Sequence, residues 1–352
     1  MKKGILLWTL CGLACHCAAQ TEVTAGVMRG KEYGVTYLLP RTEIAIRVWA
    51  TRQTYTPGEF CKYADRYLHL TDVSAESSSR WSIQRVETQV VGVPDKEQVY
   101  FVKLKDKSVA PLMELTTDGI VRSINLPFSG EKPAVAEATS ETSQPEIDPR
   151  QFLTEEILMA SSTAKRAELV AKEIYAIRES RNALLRGEAD NMPQDGAQLK
   201  LMLDHLNQQE QAMTELFAGK VRQENRCFTL HITPKEMENE VAFRFSQKLG
   251  VVPVDDLAGE PAYLTITDLK TPTLPEATPE DEKKKVDGIA YNLPGRARIL
   301  LTFQGKKLYE AEMPVTQFGT VEYLAPVLFN KNSTTKVLFD TSTGGLIKVD
   351  RE

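Results

Sequence analysis

The chain has 352 residues, a net charge of −5, and 42% hydrophobic residues, which is enough for one large domain or for two or three smaller ones. An acidic balance of 48 Asp and Glu against 43 Lys and Arg argues against nucleic acid as a partner, because no basic excess is there to attract phosphate. Past the N-terminus no segment is apolar for long enough to span a bilayer as a helix, which needs about 20 residues.

The first 19 residues have the layout of a secretory signal. Lys2 and Lys3 are followed by an apolar run over 5–14 containing Leu6, Leu7, Trp8, Leu10 and Leu13, then by the small residues Ala18 and Ala19. Cleavage there would make Gln20 the N-terminus and the net charge two units more negative. Lipid attachment at Cys15 is a second route, against which stands Gly12 where an aliphatic residue is expected. Cys11, Cys15 and Cys17 would leave with the leader, so Cys61 and Cys227 remain. In an oxidising compartment these two either pair or stay as separate buried thiols. Pairing would close a long loop and contribute roughly 5 kcal/mol in the chain-entropy account.

Residues 31–128 read as a β-rich domain with one helix. Ile44, Ile46 and Val48 alternate with polar or small residues, which predicts a strand over 42–51. Thr56, Pro57 and Glu59 resemble a capping box. Phe60, Tyr63, Ala64, Tyr67 and Leu68 then recur at helical spacing and predict an apolar face turned to a sheet, with Cys61 on its packed side. Strands are predicted at 81–91 and 99–105, and a hairpin joins 112–116 to 120–125 through Asp118-Gly119. Residues 129–149, rich in Glu, Thr, Ser, Ala and Pro, predict a flexible linker. Residues 150–219 change period: Ala167, Val170, Ile174, Ile177 and Leu184, then Leu199, Met202, Leu206, Met213 and Phe217, predict two helices of about 22 residues, each on the order of 33 Å long. The breaker-rich GEADNMPQDG at 187–196 should turn them into an antiparallel helical hairpin. Residues 220–352 return to strands as a C-terminal β-rich domain. They carry a proline-rich mobile loop over 270–285, a hairpin through Gln304-Gly305 and another through Gly344-Gly345. Strands, helices, then strands predict an α+β fold with mainly antiparallel β regions flanking the helices.

No catalytic, metal-binding or nucleotide-binding constellation stands out. His69, His205 and His231 are far apart and fit no paired-histidine spacing, and neither GxSxG nor a Gly-rich phosphate loop occurs. No cofactor or metal is therefore expected. Asn332-Ser333-Thr334 matches a glycosylation acceptor, and behind a signal of bacterial layout a chance match is expected. The most suggestive polar group is Arg178, Glu179 and Arg181, followed by Glu188, Asp190 and Asp195 in the turn. It either presents a charged surface to a partner or pairs along the helices for a few tenths of a kcal/mol each.

YGVTYLLP at 33–40, TYTPGEFCKYADRYL at 54–68, IRESR through GEADNMPQDG at 177–196, PVTQFGTVEYL at 314–324 and TGGLIKV at 343–349 together resemble an uncharacterised family of exported proteins of Gram-negative anaerobic bacteria, defined by a domain of unknown function. The resemblance spans nearly all of the chain after the leader. It implies export and brings no activity or site residue. The expected function is a non-catalytic periplasmic or envelope protein that binds or supports envelope proteins or glycans. The alternative is a secreted hydrolase acting on glycan or peptide through Asp and Glu residues, since a glycosidase needs two carboxylates only about 5 to 10 Å apart whatever their spacing in sequence.

Overall fold

The computed structural model describes residues 34–103, 113–126, 147–272, 288–324, 328 and 335–351. The expected leader with Cys15, residues 129–146 of the linker, residues 273–285 of the proline-rich loop and Asn332-Ser333-Thr334 lie outside them.

Two long strands, β1 Gly34–Thr56 and β2 Ser78–Lys103, pair antiparallel. The sequence predicts shorter strands separated by breaks. In the structure Pro94 lies opposite Pro40, beside a register shift between Leu38 and Pro40, so two residues without an N–H share one break and both strands continue past it.

Between them a 3-10 turn, Cys61–Tyr63, runs into the short helix α1, Ala64–Leu68. The predicted capping box does not form, since the cap positions are Phe60 and Tyr63 and neither offers a side-chain bond. The reason is tertiary. Gly58 lies so close to Leu216 that a Cβ there would stand 2.3 Å from the Leu216 carbonyl oxygen, and the Phe60 N–H donates to that oxygen at 2.7 Å. A distant carbonyl thus takes up the donor that a capping side chain would have satisfied. The apolar face of Phe60, Ala64 and Leu68 exists as predicted, but it packs on helices rather than on a sheet.

The hairpin of β3, Met113–Leu115, and β4, Val121–Ile124, turns through Gly119 at φ 84°. Then come α2 Glu155–Met159, α3 Thr163–Arg186 and α4 Gly196–Ala218. Ser162 caps α3 by accepting the Lys165 N–H at 3.2 Å, and Gly187 ends it in the left-handed region. Eight strands follow: β5 Lys220–Ile232, β6 Met237–Ser246, β7 Gly250–Val252, β8 Glu260–Asp268, β9 Ile289–Phe303, β10 Lys306–Leu324, β11 Thr335–Phe339 and β12 Leu346–Arg351. β9 and β10 meet through Gln304 and Gly305, both at positive φ, as the hairpin reading requires.

The strands form three antiparallel sheets, ordered β2-β1-β5, β10-β9-β8-β6-β7 and β12-β11-β4-β3. Stretches before and after the helices contribute to the same sheets: β5 pairs β1 and β11 pairs β4. Side chains of the first two sheets share one core, built from Ile44, Ile46 and Val48 of β1, Phe243 and Phe245 of β6, Leu264 of β8 and Ile299 and Leu301 of β9. A second β core joins Tyr37 and Leu39 of β1 to Val121 and Ile124 of β4, Ile289 of β9, and Val337 and Phe339 of β11. Strands β1 and β9 therefore run through both cores. At the level between them the backbone is held by side chains. Thr42 and Thr316 exchange N–H to Oγ1 bonds at 2.8 and 3.0 Å, and Asn292 Nδ2 donates to the carbonyls of Pro40 and Thr343, both at 2.8 Å. A third core is helical and gathers Phe60 and Ala64 with Ile157, Ala167, Val170, Ile174, Ile177, Met213 and Phe217.

Candidate functional site

The residues singled out in the sequence lie on α3, α4 and the turn between them, and that turn is the candidate site. The spacing of Ala167, Val170, Ile174 and Ile177 gives α3 one buried stripe, which meets Met213 and Phe217 of α4. Phe60 seals this packing against Phe217 with ring centroids 5.4 Å apart. The helical core stops at Ile177 on α3. Beyond it Leu184 is still buried, but it lies outside that core.

Past this point charge and hydrogen bonding tie the helices together. Arg178 Nε donates to Glu210 Oε1 at 2.6 Å, Arg181 Nη1 takes the other carboxylate oxygen of Glu210, and Arg181 also donates to Asn207 Oδ1 at 3.1 Å. The guanidinium of Arg178 also lies 5.5 Å from the Tyr175 ring centre, and the Tyr175 hydroxyl donates to the Tyr67 carbonyl at 2.9 Å. The two predicted arginines thus converge on one carboxylate of the neighbouring helix. Glu210, Asn207 and Tyr175 are the partners that the sequence did not single out. No periodic signal marks Glu210, because it becomes special only when α4 is placed beside α3.

The acidic residues disperse. Glu179 and Asp190 are exposed, Glu188 stands 3.4 Å from Arg186, and Asp195 caps α4 by accepting the Gln198 N–H at 2.7 Å. Three bulky apolar side chains on or near the turn are exposed. Leu185, Met192 and Leu201 are 63%, 45% and 59% exposed.

The remaining candidates are spread over the molecule. Cys61 in the 3-10 turn and Cys227 on β5 are half-buried free thiols, and Cys227 sits opposite Trp49 in the ladder. His69 ends α1 at φ 55°, His205 is exposed on α4, and His231 Nδ1 lies 3.6 Å from Glu43 Oε2. Among the described residues no group of three or more His, Cys, Asp or Glu could hold a metal ion, and no helix is long and apolar enough to cross a membrane.

A cluster of tyrosines lies outside the residues that the sequence singles out. Tyr37 and Tyr100 stack at 5.7 Å, Tyr323 meets Tyr100 edge-on at 6.4 Å, and the Tyr37 hydroxyl donates to the Ala290 carbonyl at 3.1 Å. Burial pushes the Tyr100 phenol up to about 12 and the Tyr37 phenol higher still, so both stay protonated at neutral pH and serve as packing with a polar handle. Their alternation with Val35 and Leu39, and with Val102, was the available signal.

No curated protein and no solved structure matches the chain. The family model for a domain of unknown function, DUF4831, matches residues 33–347, which takes in every strand and helix described above up to the start of β12, and the chain belongs to that family.

Proposed function

We propose that this is an exported envelope or periplasmic protein that acts without catalysis, holding another envelope protein at the turn end of α3 and α4. The exposed trio Leu185, Met192 and Leu201 carries the reading, because three bulky apolar side chains stay in water where the ion pairs to Glu210 already fix the helices. We read α3 and α4 as one antiparallel hairpin. Its support is that Arg178 reaches Glu210 while Arg181, one turn later, reaches back to Asn207. Export rests on residues 1–19, and an origin in Gram-negative anaerobes rests on the sequence resemblance. In this reading the stretches 31–128 and 220–352, which share sheets, form the support, and the helical part at 150–219 is the presenting element. The rival hydrolase needs a carboxyl held protonated.

A photo-crosslinker at Met192 in cells should yield one discrete adduct that is lost in L185D/L201D, while a crosslinker at Leu257, also exposed, should not give it. Equal adducts from both positions, or survival of the adduct in the double variant, would reject the docking surface. Protein recovered from the periplasmic fraction should begin at Gln20. Recovery from the cytosol with Met1 intact would reject export.

A further inference from the structure

Strand β12 is an outer strand of its sheet, paired on one side with β11. Val349 sits opposite Val337, which is fully buried in the second β core, so Val349 lies on the core-facing side of the sheet; past a register shift Leu346 sits opposite the buried Phe339, and Ile347 is the extra residue of the bulge. Val349 is nevertheless 40% exposed, and Leu346 and Ile347 are 38% and 60% exposed. An edge carrying apolar side chains is a template for another strand, and a lysine is the usual guard against it. Lys348 is present on the opposite face, but its charge is matched by Asp350 at 2.6 Å. The guard is neutralised.

We propose that β12 pairs antiparallel with β12 of a second copy about a two-fold axis through Val349. An axis normal to the sheet keeps core-facing side chains on one side and must pass through a residue position. Centred on Lys348 it would set two ammonium groups opposite each other, and centred on Asp350 two carboxylates, both of which are unfavourable across strands. Centred on Val349 it sets each Lys348 opposite Asp350 of the other copy, twice by symmetry. It also sets Val349 opposite Val349 of the other copy on the core side, with Ile347 of each copy beside Arg351 of the other. The same patch meets itself, so the pairing closes at two copies. One strand pair falls well short of a standard interface of about 1,600 Å², so the dimer is weak, in the micromolar range or above.

Sedimentation velocity on the intact chain, expressed with its own N-terminus, should show a dimer that grows with concentration. K348D and D350K each turn both symmetric contacts from opposite to like charge and should weaken the dimer by about tenfold or more. An equimolar mixture of K348D and D350K should recover it, because one copy then offers two carboxylates to two ammonium groups of the other. Melting temperatures within a degree or two of the parent confirm that each variant is folded. A monomer at every concentration, association indifferent to both reversals, or a mixture that stays monomeric would overturn the proposal. So would species larger than a dimer, which would mean that β12 pairs with a different edge such as β3.

Discussion

Asn292 is the sharpest place to perturb the link between the two β cores. Its Nδ2 gives one hydrogen to the Pro40 carbonyl and the other to the Thr343 carbonyl, both at 2.8 Å, and its side chain is buried. Asn292→Ala removes both donors and leaves two buried carbonyls with less than their bonding. At about 1–3 kcal/mol for each unsatisfied group, and taking the lower half because a carbonyl has a second lone pair, the loss is about 2–4 kcal/mol. Asn292→Asp keeps the shape but sets a carboxylate oxygen against those carbonyls, so at pH 7 it should cost more than the alanine. Its carboxyl would be pushed up in the folded protein and would bind its proton more tightly there than in the unfolded chain. Folding of the Asp variant should therefore recover as pH falls through that raised value, and the alanine variant should not share this recovery. Urea unfolding followed by tryptophan fluorescence at pH 7 and pH 5 measures all four numbers. An alanine variant within about 0.5 kcal/mol of the parent, the range of an ordinary surface change, would refute the claim that Asn292 ties these segments together.

Phe217→Ala empties a fully buried site against Phe60 and should cost about 3–5 kcal/mol in denaturant unfolding, and leaving stability unchanged would contradict the helical core. Glu210→Gln withdraws the carboxylate shared by Arg178 and Arg181. Because both arginines are about a third exposed, we expect a loss of only about 1 kcal/mol, smaller still in 1 M salt, and a loss that salt leaves unchanged would argue against an ionic tie. The Tyr37 and Tyr100 phenols are raised by burial, so folding gains from them below pH 10 and that gain is lost as pH rises towards 12. Absorbance titration at 295 nm should show a lagging phenolate fraction that ionises together with loss of structure, whereas all eleven tyrosines of the chain titrating near pH 10 would reject it.

Local signals in the sequence located most elements. The i, i+3, i+4 recurrence of Val170, Ile174 and Ile177 found α3, Asp118-Gly119 found the β3–β4 turn, and Gln304-Gly305 found the β9–β10 turn, since each depends on neighbours in the chain. What failed depended on distant residues. The helix start at Phe60 answers to Leu216 O, and the continuation of β2 past Pro94 answers to Pro40. The pairing of β1 with β5 joins residues far apart in the chain, such as Trp49 and Cys227, and periodicity carries no information about such partners. At the candidate site the arginines were legible as charges on a helix. Their common partner Glu210 and the uncovered Leu185 and Leu201 were not, because a leucine on α4 reads the same whether or not anything covers it.

Because β1 threads both β cores, neither of them owns a complete set of its own strands. A chain break between Leu39 and Ile44 would part Tyr37 and Leu39 from Ile44, Ile46 and Val48, so each core would lose the continuity of a strand that it shares with the other. The β portion should melt as one unit, because both of its cores draw on β1 and β9, while the helices, whose core is separate, should fray first.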